Sequence, residues 1–236
     1  WYLGNGDAQS PEDKFAAMAD RPLRVFLFGA LVVQLLGWWL VATHGHLGTH
    51  LLLNTWHTPW SDVFFRYFTH LADGITVAVI TVLFLFRSWR AFLMVAVATI
   101  GSALTTQFLK RMVFSDVDRP IRFLADMPGL QLVEGVVNHH HFSFPSGHTT
   151  AAFALCCSAA LLLGGQRRAI LLFLWALLLG YTRVHLSQHF TEDVLAGMIV
   201  GIGWAWLSYR IWQGERWAQR AALDRSPLRR RRALPG

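Results

Sequence analysis

Three short stretches of the sequence combine residue types that can handle a phosphoryl group. The first has Lys110 and then Arg119 before a proline, the second reads Phe-Pro-Ser-Gly-His, and the third carries Arg183, His189 and Asp193. Cations suit a dianionic group, because they make charge-assisted hydrogen bonds to its oxygens. A histidine with a nearby carboxylate suits nucleophilic or acid–base work. Together the three stretches point to chemistry on phosphate.

The third stretch pairs an imidazole with a carboxylate. His189 and Asp193 are four residues apart, so on a helix they share one face. The carboxylate accepts the proton of one ring nitrogen and makes the other nitrogen a better nucleophile. Arg183, six residues before His189, has a planar fork that can hold two phosphate oxygens. The alternative interpretation is a set of interfacial polar residues.

The second stretch has the pattern of a helix start. Ser146 is a good N-cap residue, and the amide groups that follow have no helical acceptor. With Gly147 allowing close approach, these amides can bind an anion. His148 stands beside them, where it can protonate a leaving oxygen. The alternative is a capping turn with an incidental histidine, and for Lys110 and Arg119 it is snorkelling to the membrane interface.

The composition indicates a membrane protein. Of 236 residues, 54% are hydrophobic and only 15% are charged, whereas about 25% are charged in soluble domains. Several apolar runs approach the roughly 20 residues that cross a bilayer. We therefore predict an all-α fold, a single membrane domain (1–236) of six transmembrane helices in a bundle, with Gly74 kinking the second. The predicted spans are 24–43, 66–86, 91–109, 148–164, 168–184 and 193–212.

The basic residues predict the orientation of these spans. One side carries 15 of the 21 Lys and Arg residues, and the other side carries 6. By the positive-inside rule the first side is cytoplasmic. The N-terminal segment (1–23) and the basic tail (213–236) are then cytoplasmic, and the Arg229–Arg232 run contacts anionic headgroups. The 110–147 loop, with the first two motifs, faces the exterior or periplasm, as expected of a bacterial inner-membrane protein with its active site at the outer ends of spans three to six.

The three stretches resemble the signature motifs of the type 2 phosphatidic acid phosphatase superfamily, which includes vanadium-dependent haloperoxidases. That pattern is Lys-x6-Arg-Pro, then Pro-Ser-Gly-His, then Ser-Arg-x5-His-x3-Asp. The second motif matches in full, and the third matches with Thr182 in place of serine. The first departs, because eight residues separate Lys110 from Arg119. A bulge within 115–118 would absorb the extra length, and Arg111 is the weaker alternative to the lysine.

The resemblance implies a role for each residue. His189 attacks phosphorus and becomes a phosphohistidine, Asp193 orients it, and His148 protonates the departing group and then activates water. No metal and no cofactor are expected, since three cations already neutralise the phosphoryl group. The implied phosphate-binding residues are Lys110, Arg119, Ser146, Gly147 and Arg183.

The expected function is that of an integral membrane lipid phosphatase with lipid phosphate and membrane lipids as partners. Undecaprenyl diphosphate is slightly preferred, because an outward site suits a carrier that is recycled outside the membrane. The alternatives are phosphatidylglycerol phosphate, phosphatidic acid or lipid A as substrate, a lipid phosphotransferase, and a non-catalytic lipid phosphate transporter. A haloperoxidase is disfavoured, since such relatives are typically soluble. The net charge of +7 follows from the topology, so no nucleic-acid partner is expected.

The remaining histidines are expected to be polar residues outside the catalytic set. Three consecutive ones, His139–His141, are expected to be solvent-exposed or at the substrate's edge. Another group falls in the first outer loop, near Trp56 and Trp60 of an interfacial belt: His44, His46, His50 and His57. His185, between Arg183 and His189, is expected to support the site without touching phosphate.

Overall fold

All regular secondary structure in the part of the chain that the structure describes is helical. This computed structural model describes residues 11–214 and 220–228. Residues 1–10 of the predicted N-terminal segment and the Arg229–Arg232 run lie outside the described residues. The α-helices of the described part are α1 (Pro11–Leu53), α2 (Pro59–Phe68), α3 (Gly74–Leu83), α4 (Trp89–Phe108), α5 (Gly147–Leu163), α6 (Gln166–His185) and α7 (Thr191–Tyr209).

Short turns of tighter or wider helix extend several of these elements. A 3-10 turn, Thr69–Ala72, follows α2, and another, Phe84–Phe86, follows α3. A π-helical turn, Leu109–Val113, continues α4. The others in the described residues are Pro120–Phe123, Arg210–Gly214 and Ala221–Asp224.

Four of the described helices are long and apolar enough to cross a membrane. They are the Arg21–Leu53 part of α1, α4 with its π turn, α6, and α7 extended to Gln213. The α2–α3 pair, bent by 55°, counts as a fifth if it forms one span. Helix α5 is apolar but shorter, with 17 residues. The prediction of an all-α membrane protein is confirmed, with four to five candidate spans.

Helix α5 lies at the centre of the bundle and packs closely against α7. A Cβ atom on Gly197 would come within 2.7 Å of Ser146 O, and one on Gly201 within 2.5 Å of Thr150 O. Small residues allow such close helix contacts in lipid, where packing rather than the hydrophobic effect holds helices together. On the other side of α5, Phe153 meets Phe173 edge to face. The start of α5, with its predicted motif, is therefore held in a defined position.

The structure corrects the boundary of the first predicted span. Helix α1 does not end at residue 43 but continues to Leu53, bending at Gly45, where φ is 70°. The predicted loop histidines His44, His46 and His50 are therefore helical. The extension has a packing partner, since His50 is fully buried and its ring lies 5.2 Å from that of Phe190.

Helices α2 and α3 are separated at the position where the sequence predicts a kink. Residues 69–73, here called the break segment, comprise the 3-10 turn and Asp73, whose backbone is extended. The bend of 55° occurs there. This segment brings polar side chains of an otherwise apolar span to the start of α5 and to the end of α6.

Candidate active site

His189 and Asp193 form a buried pair at the start of α7. The ring Nδ1 lies 3.1 Å from Asp193 Oδ2, and both side chains are almost fully buried. His189 precedes α7, so the prediction that the two share a helix face is wrong. They meet because Asp193, the third residue of α7, accepts the Phe190 backbone N–H at 3.0 Å. The carboxylate thus caps the helix and leaves Nε2 of His189 for chemistry.

Ser143 completes this pair. Its hydroxyl donates to Asp193 Oδ2 and lies 3.4 Å from His189 Nδ1. Ser143 is fully buried and precedes the second motif by two residues. The hydroxyl therefore fixes the carboxylate that orients the imidazole.

The surroundings keep the His189 imidazole neutral. Burial lowers its pKa well below the usual 6.5, and the positive charges of Arg119, Lys110 and Arg183 lower it further. A neutral imidazole has a lone pair available, which a nucleophile requires. The same cations that would bind a phosphoryl group therefore also hold His189 in its reactive form at neutral pH.

Lys110 and Arg119 are held by backbone carbonyls of the loop before α5. Lys110 Nζ donates to Phe142 O at 2.8 Å, and Arg119 donates to the carbonyl oxygens of His141 at 3.0 Å and Gln188 at 3.2 Å. Both cations are largely buried. Burial lowers the pKa of the Arg119 guanidinium, and the nearby Asp193 carboxylate opposes that change. The cations are thus positioned before any phosphate arrives.

The structure distinguishes Lys110 from Arg111. Both lie on the π turn after α4, but Lys110 is 7% exposed whereas Arg111 belongs to the exposed residues. The irregular geometry begins at Leu109, whose carbonyl accepts the Phe114 N–H, and so precedes the 115–118 segment in which the sequence predicts a bulge. A π turn inserts a residue into a helix and shifts the faces that follow it.

Arg183 lies in the last turn of α6 and is buried. One terminal nitrogen donates to Thr69 Oγ1 of the break segment at 2.6 Å. Its Nε has no hydrogen-bond partner among the described residues. A buried guanidinium with an unsatisfied N–H is costly in isolation, and a phosphate oxygen is a natural acceptor for it. Thr182, at the position of the motif's serine, bonds instead to Leu179 O and Thr69 Oγ1.

Helix α5 begins as the sequence predicts. Ser146 is its N-cap and Gly147 its first residue. The Ser146 hydroxyl accepts from the N–H and the hydroxyl of Thr149, at 3.4 and 2.9 Å. As an acceptor in both bonds, it keeps its own proton to donate. The Ser146 N–H donates to Asp193 O at 2.9 Å, which joins the second motif to the third.

His148 is paired with a carboxylate from outside the three motifs. Its Nε2 lies 2.7 Å from Asp73 Oδ1 in the break segment, and the second oxygen of Asp73 lies 2.7 Å from His70 Nδ1. The site therefore contains two His–Asp pairs, His189–Asp193 and His148–Asp73. His189 contacts its carboxylate through Nδ1, whereas His148 contacts its carboxylate through Nε2.

A cavity of about 910 Å³ opens beside Lys110 and Arg119. Its lining includes the three histidines 139–141, which are exposed as the sequence predicts. His141 Nδ1 lies 2.6 Å from Asp118 Oδ1. The cavity therefore offers room for a large headgroup next to two of the site's cations.

His185 belongs to a separate cluster with His57 and Asp62. Asp62 Oδ1 lies 2.8 Å from His57 Nδ1 and 2.9 Å from His185 Nε2, and these three groups could hold a metal ion by distance alone. The two rings, however, are stacked at 17° with centroids 4.1 Å apart. An ion bound by imidazole lies near the ring plane and about 2 Å from the nitrogen, and two stacked planes at so small an angle do not meet that close to both rings. The cluster fits a hydrogen-bonded clasp between α2 and α6 better than a metal centre.

The structure brings the eight predicted site residues to the same end of α4–α7: Lys110, Arg119, Ser146, Gly147, His148, Arg183, His189 and Asp193. Sequence reasoning missed Ser143, Thr69 and Asp73 as contacts of that set. Asp73 had a signal, since an ionisable residue inside an apolar span is a functional hypothesis by default. Nothing in the local sequence marks Ser143.

Comparison with known proteins decides the family. A family model described as the PAP2 superfamily matches residues 91–217, more than half of the chain. The chain belongs to the PAP2 superfamily. As a PAP2 protein it is a membrane lipid phosphatase, a phosphomonoester hydrolase, so the predicted family and enzyme class are confirmed.

Similar PAP2 proteins include a curated relative and two solved structures. A lipid A 4′-phosphatase of Bacteroides thetaiotaomicron is 31% identical over 176 residues, which cover 70% of this chain and 76% of that protein. The crystal structure of Aquifex aeolicus LpxE matches with a TM-score of 0.61 and 27% identity, over 70% of this chain and 94% of that one. A PAP2-type phosphatidylglycerolphosphate phosphatase from Bacillus subtilis matches with a TM-score of 0.55 over 83% and 98% of the two chains. Its identity of 21% supports the fold alone.

Proposed function

We propose that this PAP2 phosphatase transfers the phosphoryl group of a lipid phosphate to His189 and then to water. The observation that carries the proposal is the pair of imidazoles, each next to a carboxylate, beside three buried cations. Binding alone would need the cations but neither a nucleophile nor an acid. The arrangement therefore favours catalysis over transport.

The proposed reaction has two steps. Nε2 of His189 attacks phosphorus, the P–O bond to the lipid breaks, and the departing oxygen takes a proton from His148. Water then gives a proton to His148 while its oxygen attacks the phosphohistidine, which releases inorganic phosphate and restores both histidines. Lys110, Arg119 and Arg183 stabilise the charge on the phosphoryl oxygens in both steps.

The preferred substrate in this proposal is a phosphorylated glycolipid of the lipid A type. Two observations support it: the relative at 31% identity carries the name lipid A 4′-phosphatase, and the cavity of about 910 Å³ beside Lys110 and Arg119 has room for a sugar headgroup. The expected preference for undecaprenyl diphosphate has no such support. It rests only on the outward orientation, and it enters the experiment as a comparison.

The proposal includes six spans and an outward site. Helix α5, an apolar helix of 17 residues in the centre of the bundle, would be the sixth span, shielded from lipid by its neighbours and so able to be short. Arg87 donates to Leu162 O at 2.9 Å and Arg168 to Leu163 O at 2.8 Å, so these arginines share one end of the bundle. That end is the cytoplasmic one by the positive-inside rule. The 110–147 loop and the site then face outward.

The test is phosphate release by the detergent-purified protein with a chelator present. The panel contains lipid A, undecaprenyl diphosphate, phosphatidic acid and phosphatidylglycerol phosphate. We expect release from lipid A above the others, abolished in His189→Ala and retained in the control His44→Ala, whose side chain is exposed on α1. Equal release by His189→Ala would contradict the mechanism.

Two other outcomes would redirect the proposal. Release from undecaprenyl diphosphate alone would contradict the proposed substrate but would support the proposed two-step reaction. The protein would be a phosphotransferase if the donor lost phosphate only when a second lipid was present and that second lipid became phosphorylated. Folded protein that moves lipid phosphate across a vesicle membrane, without hydrolysis and unaffected by His189→Ala, would indicate a transporter.

A further inference from the structure

The break segment between α2 and α3 reaches two groups of the proposed site. Asp73 Oδ1 lies 2.7 Å from Nε2 of His148, and Thr69 Oγ1 accepts from Arg183 at 2.6 Å. Both partners lie far away in the sequence, on α5 and α6. An unbroken helix has no extended residue, whereas Asp73 is extended and caps the start of α3, its carbonyl accepting the Val77 N–H at 2.9 Å.

We propose that Asp73 is a positioning residue of the phosphatase site, which holds His148 by Nε2 so that Nδ1 delivers the proton to the departing lipid oxygen. This inference rests on the function proposed above. Neither the three motifs nor the family match, which begins at residue 91, includes Asp73.

The hydrogen bond determines which nitrogen of His148 is available. A carboxylate accepts but does not donate when ionised, so the proton between Asp73 and His148 belongs to Nε2. The second proton of the imidazolium is then on Nδ1, the nitrogen that remains for the substrate. Asp73 is itself held, because its other oxygen pairs with His70. The carboxylate therefore sets the orientation of His148 from outside α5.

Both histidines of the site lie near cations and next to a carboxylate, and a bound phosphate changes that balance for His148. His189 lies among Arg119, Lys110 and Arg183, which oppose its protonation. His148 also feels Arg183 and Lys110, but it has Asp73 in direct contact at its ring. A bound phosphate dianion adds a second negative charge next to His148. With Asp73 and the phosphate dianion both beside it, His148 is expected to carry its proton when substrate is bound, because neighbouring negative charges favour the imidazolium.

In the first step the bond from phosphorus to the lipid oxygen breaks as the bond to His189 Nε2 forms. The proton on His148 Nδ1 moves to that oxygen, so the lipid leaves as a neutral alcohol and His148 becomes neutral. Asp73 exchanges no proton. In the second step a water molecule gives a proton to His148 while the water oxygen forms a bond to phosphorus. The bond between phosphorus and His189 Nε2 then breaks, and inorganic phosphate leaves.

The experiment compares two leaving groups in Asp73→Asn, which removes the charge but keeps an acceptor. A lipid alkoxide needs the proton, whereas p-nitrophenolate leaves without one. We expect kcat/KM for the lipid phosphate to fall about 10²-fold, the lower end of what general acid catalysis contributes, and kcat/KM for p-nitrophenyl phosphate to fall far less. Asp73→Ala, which also removes the acceptor, should lower the lipid rate further.

The matched control is Asp62→Asn. Asp62 also pairs with histidines, His57 and His185, at 2.8 and 2.9 Å. These histidines take no part in the proposed reaction, so both substrates should respond to Asp62→Asn to the same degree. If Asp73→Asn also slows both substrates to the same degree, or slows neither, Asp73 is not a positioning residue for the acid.

The pH profile gives a second measurement. Removing an anion beside an imidazolium favours loss of its proton, so the alkaline limb of kcat/KM for the lipid should move to lower pH in Asp73→Asn. The other ionisable groups near this pair are His70 from the break segment, Lys110 from the π turn, Arg183 from α6, and His189. An unmoved alkaline limb would overturn the inference.

The outcomes separate this inference from the proposed function. Wild-type protein that releases phosphate from no lipid would refute the function, whereas active wild-type protein with unaltered leaving-group dependence in Asp73→Asn would refute only the role of Asp73. If Asp73→Asn does not fold, as judged by its melting in detergent, Asp73→Glu is the substitute. The longer carboxylate keeps the charge but misplaces it, so the lipid rate should be reduced with an intact protein, and a wild-type rate would contradict the proposal.

Discussion

At the scale of single residues, each catalytic group of the proposed site is held before substrate arrives. Lys110 and Arg119 are bound by carbonyl oxygens of residues 141–143 and 188, and Asp193 is bound by Ser143 and by the Phe190 N–H. Preorganised donors stabilise developing charge without a cost of reorganisation at the moment of reaction. For the same reason, two adjacent cations can differ greatly in their contribution to catalysis when only one of them is held in the site.

Lys110 and Arg111 provide a direct test of that difference in catalytic contribution. We expect Lys110→Ala to lower kcat/KM by about 10²–10³-fold, as for loss of one preorganised donor. Arg111→Ala should have a much smaller effect, because its side chain is exposed at the cavity rim. Steady-state kinetics of the two variants on the same lipid phosphate gives the comparison. A larger loss in Arg111→Ala would assign the first cation of the motif to Arg111.

At the scale of elements, the site depends on how closely α5 and α7 approach. Gly197 and Gly201 of α7 face backbone atoms of α5 at distances that leave no room for a methyl group. Because Ser146 N–H bonds to Asp193 O, a separation of these helices would also displace the start of α5 from the third motif. Packing and catalysis are coupled through this contact.

We therefore expect Gly201→Ala to destabilise the protein by about 1–3 kcal/mol, the usual cost of overpacking, and to reduce activity. A Cβ there would lie 2.5 Å from Thr150 O and 2.8 Å from Ala154 N, so backbone would have to move. Gly203, two residues further along α7, has nothing within 4 Å of such a Cβ. Gly203→Ala should accordingly be neutral or slightly stabilising. Thermal unfolding in detergent tests the pair, and equal melting of the two variants would refute the packing argument.

At the scale of the whole molecule, the question is which side of the membrane the site faces. The break segment, the 110–147 loop and the α6–α7 connection meet at one end of the bundle. The arginines 87 and 168 mark the opposite end through their bonds to the last residues of α5. The orientation of the bundle in the membrane therefore determines which side of the membrane all the proposed site residues face.

Cysteine accessibility tests this orientation. We expect a membrane-impermeant maleimide to label Asp126→Cys in intact spheroplasts, and Gln166→Cys only after the membrane is permeabilised, since both positions are exposed and lie at opposite ends. The native Cys156 and Cys157 are buried and should give little background. The reverse labelling pattern would place the site in the cytoplasm.

Much of the architecture could be predicted from the sequence, because it depends on local pattern. Apolar runs of nearly bilayer length indicate helices whatever their partners are, and the starts of α5, α6 and α7 lie within two residues of the predicted boundaries. The motif residues were also identifiable, since their residue types and short spacings are visible in one chain. The predicted kink near Gly74 was correct for the same reason, because a polar pair and a glycine interrupt an apolar run there.

What only the tertiary structure decided involves partners far apart in the chain. The Asp73–His148 and Ser143–Asp193 contacts join residues 75 and 50 positions apart. Helix α1 extends to Leu53 because His50 finds a buried place beside Phe190, and His189 meets Asp193 through a helix cap instead of a helix face. A local pattern records which residues prefer helix, lipid or water. It does not record which distant side chain will satisfy a buried polar group, because only the packed bundle brings those groups together.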